Sequence, residues 1–179
     1  MEVAGAFVAW LGIFVVVLAD GRYGLALGTL LAAAGIAAVS LPIAGPTASA
    51  ALAVGGLIAS AGRLVAGPPG WTVMPAGSTP RLVLGVAGGL LALWVGLAVT
   101  SGSGAGLRFA VVSMLSLAAA RALSSDSGPV VLTAFGLLAL AVGAAAGLSG
   151  PPHDGWPYLA AATVAAAAAW VPLRTPRAA

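Results

Sequence analysis

The chain contains no cysteine, so disulfides, thiolate metal sites and a catalytic cysteine are all excluded. It has no lysine either, and its one histidine is His153. The seven basic residues are all arginines, set against four acidic residues, and charged residues make up only 6% of the 179. A soluble domain carries charge on roughly a quarter of its residues. A chain this poor in charge has no polar surface to offer water, and its mean hydropathy of +1.12 agrees. The pI near 10.7 does not point to nucleic acid, because the arginines are well separated and form no basic patch. Arginine in place of all lysine, with abundant Ala and Gly, fits the coding bias of a GC-rich genome. The expected location is therefore the cell (inner) membrane of a bacterium, as a multi-pass protein.

What is present is apolar length. A membrane-spanning helix needs about 20 largely apolar residues. Charges and Gly/Pro/Ser clusters divide the chain into seven such stretches, at about 3–19, 24–42, 47–66, 81–99, 105–123, 129–148 and 156–173. Strands rarely reach 18 residues, so length selects helix. The expectation is an all-α integral membrane protein, one transmembrane domain over 1–179 with about seven helices. The first stretch lacks the basic start and small-residue cleavage site of a signal peptide, so it is expected to stay.

With alternating spans, Arg22, Arg63, Arg81, Arg121, Arg174 and Arg177 share one side and Arg108 stands on the other. Arginine excess marks cytoplasmic loops, which places the N-terminus outside and the C-terminus in the cytoplasm. Arg63 then lies about one turn from the cytoplasmic end of the third stretch, before Pro68 and Pro69. The expectation is an anchor whose side chain snorkels to the headgroups. Arg121 ends a similar segment: "VGGLIASAGR" (54–63) aligns with "VSMLSLAAAR" (112–121), and "GLLALWVG" (89–96) with "GLLALAVG" (136–143). These matches suggest three two-helix hairpins in one orientation after an extra first helix. Both arginines are read as lipid or partner contacts that folding can do without.

Ionisable residues inside a membrane are the usual pointer to function, and no acidic residue, histidine or lysine falls deep in a predicted stretch. That argues against a proton pump, a cation antiporter or an intramembrane hydrolase. Hydroxyls remain, and Ser113 and Ser116, three apart, are candidates to line a pore or bind a ligand. Packing is the commoner use of such serines. Small residues at four-residue spacing, among them Gly24/Gly28/Ala32 and Gly143/Gly147, predict close helix packing. The longest connection, "GPPGWTVMPAGSTP" at 67–80, is uncharged and carries Trp71 and Met74, candidate contacts to a partner or to lipid.

The function these features suggest is a non-catalytic polytopic subunit or scaffold of a larger membrane complex, of respiratory or hydrogenase type by analogy of class. The alternative is a small transporter or channel for an uncharged or lipid-like solute. An enzyme acting on lipid at the membrane surface, with His153 and Asp154 or the arginines as its polar groups, ranks last. No cofactor is implied. The expected partners are the lipid bilayer and other membrane subunits or further copies of the chain.

Overall fold

A computed structural model describes residues 2–66, 70–71, 79–99, 102, 104–149 and 155–171. Among them every regular element is an α-helix: α1 (Glu2–Leu18), α2 (Arg22–Ala66), α3 (Thr79–Val99), α4 (Ala105–Leu123), α5 (Gly128–Ser149) and α6 (Trp156–Ala169). Three of these, α2, α4 and α5, are long and apolar enough to cross a membrane, and α1 and α6 are shorter apolar helices.

At 45 residues, a straight α2 would be roughly twice as long as a bilayer core is thick. It is not straight. Gly45 takes φ 85° and ψ 176°, a conformation a Cβ would penalise. Pro46 follows in a first-turn position, where its missing N–H costs nothing. The chain reverses there, giving a first arm (22–44) and a second arm (46–66). Two hydroxyls bridge the arms, Ser49 to the Ala37 carbonyl (2.6 Å) and Ser60 to that of Ala26 (2.8 Å). The gap between the predicted stretches 24–42 and 47–66 is therefore a kink inside a helical hairpin.

Glycines set the helix spacing. Gly5 and Gly12 of α1 interlock with Gly28 and Gly35 of the first arm, both pairs seven residues or about two turns apart. A Cβ on Gly12 would sit 2.7 Å from the Ala32 Cα, and one on Gly35 would sit 2.6 Å from the Ala9 Cα. The matching is antiparallel. Gly55 and Gly62 of the second arm meet Ala162 and Ala169 of α6 in parallel register, and Gly143 and Gly147 of α5 meet Ala161 and Tyr158 in antiparallel register. With Glu2 at Gly106 and Ala19 at Arg121, α4 runs parallel to α1. So α1, the second arm, α4 and α6 point one way, and the first arm and α5 the other.

The buried core runs through α1, both arms, α4, α5 and α6, with Ile13, Leu25, Ile36, Leu52, Met114 and Leu137 fully enclosed. Among the described residues helix α3 packs chiefly against α4 and α1. Its anchor is Gly89, whose carbonyl accepts the Trp10 indole N–H at 3.2 Å and whose Cα lies under Phe14. Trp10 is stacked on Phe14 (5.4 Å, 8°) and tilted against Phe7. The outer side of α3 presents Leu90, Leu91 and Trp94.

Predicted and observed boundaries agree closely except at the last helix, which ends at Ala169 with Trp170 as its cap instead of running to 173. Residues 172–173 lie outside the described residues.

Candidate functional site: the arginine-bearing end of the bundle

The helix directions bring Arg22, Arg63 and Arg121 to one end of the bundle and Arg108 to the other. The ends differ in what the arginines do there. Arg63 is in the last turn of the second arm and Arg121 in the last turn of α4. Each is only 2% exposed.

The last four carbonyls of a helix have no intrahelical donor, and the helix dipole leaves that end partly negative. Arg121 donates from Nη2 to the Ala19 carbonyl just past α1 (3.0 Å) and to the Asp20 carboxylate in an ion pair. Arg63 donates from Nη2 to the Ala168 carbonyl in the last turn of α6 (2.7 Å) and from Nη1 to the Pro129 carbonyl at the start of α5 (3.4 Å). Each arginine thus caps the C-terminal end of the neighbouring parallel helix. A planar guanidinium suits the task, because its forked donors reach two acceptors at once.

This corrects the expectation that Arg63 snorkels outward to the headgroups, and Arg121, read as a lipid or partner contact, is likewise turned into the protein. A helix end buried by its neighbours leaves orphan carbonyls inside the protein. Satisfying them there outweighs extending a side chain that is long enough to do either. Arg63 and Arg121, which end the two aligned ten-residue segments, thus play parallel parts. Elsewhere the likeness weakens: Trp94 and Ala141 occupy the same place in the two "GLLAL" segments, yet Trp94 is exposed and Ala141 fully buried.

Ser113 and Ser116 are not brought together on one lining. Ser113 is fully buried with its hydroxyl unpartnered among the described residues. Ser116 is exposed and donates to its own helix at the Val112 carbonyl (2.9 Å). The same back-bonding occupies Thr29, Ser40, Thr133 and Thr163, the common use of hydroxyls in apolar helices.

Trp71 is exposed and stacks on Tyr23 at 5.6 Å and 22°. The Arg22 guanidinium lies over the other aromatic neighbour, 5.0 Å from the Tyr23 ring centre. Met74, His153 and Asp154 lie outside the described residues.

Two hollows open near this end. A cavity of about 10 Å³ is enclosed by Arg63, Thr29, Thr133 and apolar residues of α5 and α6. A groove of about 480 Å³ runs between the second arm and α6, floored by Ala51, Gly55 and Ala162 and closed at one end by Trp170.

Sequence reading missed the Gly5/Gly12 and Gly55/Gly62 pairs. Their seven-residue spacing on separate helices was the available signal, and attention to four-residue spacing passed over it. Compared with protein-family models, curated proteins and solved structures, the chain matches none.

Proposed function

We propose that the chain is a non-catalytic, multi-pass membrane subunit or scaffold of a larger complex, of respiratory or hydrogenase type. In this reading seven helical segments cross a bacterial inner membrane: α1, the two arms of α2, and α3 to α6. The arginine-bearing end faces the cytoplasm and the N-terminus lies outside. One observation carries the reading. The strongest buried polar groups, Arg63 and Arg121, are spent on tying helix ends together, while glycines bring backbones into contact. Such an interior serves rigidity. What faces outward is apolar surface and the Tyr23–Trp71 pair.

Trp71 is the proposed docking anchor, with lipid headgroups as the competing environment for the same ring. Affinity purification from native membranes in mild detergent, with mass spectrometry of what accompanies the chain, tests both statements. Stable unrelated membrane subunits are the expected result. Trp71→Ala is expected to weaken their retention by about 2 kcal/mol, or roughly 30-fold. Recovery of the chain alone from membranes that contain its natural partners sinks the subunit reading. Unchanged recovery with Trp71→Ala removes only the anchor.

The second reading, a carrier for a lipid-like solute, has one observation in its favour: the apolar groove between the second arm and α6. Transfer of labelled lipid between leaflets of reconstituted vesicles would select it.

A further inference from the structure

The second arm and α6 run in parallel and touch through small residues, Gly55 on Ala162 and Gly62 on Ala169. Contact that close leaves a trough along the outer side of the pair. Val54 and Ile58 rise on one bank and Leu159 on the other, and all three are exposed. The volume of about 480 Å³ falls within the roughly 300–1,000 Å³ of ligand-holding clefts. Among the described lining residues the one hydroxyl, on Thr163, donates to the Leu159 carbonyl of its own helix at 2.8 Å. Hydrocarbon entering the groove therefore meets an apolar wall.

Length, end and charge together select the occupant. From Leu159 to Trp170 the groove follows α6 for about 16 Å, close to half of a bilayer core of roughly 30 Å. That is the depth of one leaflet. Trp170 caps α6 and closes the groove at the arginine-bearing end, and tryptophan is favoured at headgroup level. Gly62 leaves room for the indole there, since a Cβ on it would stand 3.2 Å from Trp170 Nε1. A partner helix laid along the banks would run into this ring, whereas a lipid tail ends at that depth. Charge at this end is positive. Arg22, Arg63 and Arg121 gather there, and Asp20 is taken by Arg121. After Asp154 the sequence has no acidic residue, but Arg174 and Arg177 follow Trp170 by four and seven positions.

We propose that the groove holds one acyl chain of an anionic phospholipid from the cytoplasmic leaflet, with its ester and phosphate groups at the level of Trp170. The lipid is resident and not cargo. It fills the trough between two helices that meet only through small residues, and so adds contact to that pair. The inference rests on the membrane placement proposed above and is independent of the subunit reading.

The full-length protein, purified and delipidated in mild detergent, is titrated with phosphatidylglycerol or phosphatidylcholine and followed by native mass spectrometry and thermal unfolding. Phosphatidylglycerol is expected to bind and to raise Tm saturably, by roughly 5 °C at a hundredfold excess over Kd. Phosphatidylcholine is expected to bind about tenfold more weakly. Thr163 and Ala167 lie one turn apart on the exposed side of α6, so Thr163→Phe/Ala167→Phe fills the groove without entering the core. This variant is expected to lose the rise with either lipid, and Arg174→Gln/Arg177→Gln to lose the preference between them. Equal Tm with and without lipid overturns the proposal, as does an undiminished rise in the filled variant. Phosphatidylglycerol with a photoreactive acyl chain maps the site without any substitution. Labels within 51–58 and 159–170 support it, and labels confined to other segments overturn it. A chain that leaves membranes only with detergent, yet binds no lipid here, sinks the lipid site alone. Release by alkaline carbonate without detergent sinks the membrane placement as well.

Discussion

A guanidinium has five N–H donors and no acceptor, so a buried arginine is a demand on its surroundings. Arg121 meets part of that demand through Nη2, with the Ala19 carbonyl and Asp20, whose side chain is 26% exposed, while its Nε and Nη1 are buried without an acceptor among the described residues. Removing the arginine strands a partly buried carboxylate and an orphan carbonyl. Arg121→Ala is therefore expected to destabilise the fold by about 3 kcal/mol, and Asp20→Asn by about 1 kcal/mol. A double-mutant cycle on unfolding in mild detergent should show coupling of about 1–2 kcal/mol. Additive effects would mean the pair is not formed. Ser113 behaves in the opposite sense. Its buried hydroxyl is unpartnered among the described residues, so Ser113→Ala should leave stability unchanged or raise it by up to about 1 kcal/mol. Any transport activity found in vesicles should survive that change. Loss of flux in a stable Ser113→Ala protein would restore the serine as a ligand group.

At the scale of helices, the bundle is held by how closely backbones approach. Lipid is as apolar as a leucine side chain, so helices in a membrane gain little from hiding apolar surface. They gain from contact and from polar bonds between them. The α1–first-arm pair shows the consequence, since a Cβ on Gly28 would lie 2.7 Å from the Gly12 carbonyl oxygen. Backbone cannot step aside as a flexible side chain can. Gly12→Leu is expected to cost about 3 kcal/mol or more, read as loss of monodisperse protein or a lowered Tm. Gly88 of α3 has nothing within 4 Å of where a Cβ would stand. Gly88→Ala should therefore be neutral, or stabilise by up to about 1 kcal/mol through helix propensity. Equal damage from both substitutions would show that glycine acts here through flexibility rather than through approach.

For the whole molecule, the helix directions group the described arginines by end, with Arg22, Arg63 and Arg121 at one and Arg108 at the other. Reporter fusions in the 67–80 connection and after Ala179 should both report cytoplasm, and a fusion ahead of Glu2 the outside. Opposite sides for the first two sites would break the proposed alternation of seven crossings. The bend at Gly45 is the element on which that count turns. Read as one straight helix, α2 is far too long for a bilayer; read as two arms, each suits it.

The apolar length of the segments and the punctuation between them are properties of local composition, so they were legible along the chain. Helix content, most helix boundaries and the break near Gly45 follow from such local facts. The packing use of small residues was legible as a tendency, but the partners of Gly5, Gly12, Gly55 and Gly62 were not. A glycine records that something comes close, never what. The roles of Arg63 and Arg121 were decided only by the tertiary structure. An arginine one turn from a helix end can reach either outward to headgroups or sideways to a neighbour's last carbonyls. Only the parallel placement of α1 beside α4, and of α6 beside the second arm, puts those carbonyls within its reach. The same holds for Ser113 and Ser116, three residues apart and yet one enclosed and one exposed, because burial depends on which neighbour covers each side of the helix.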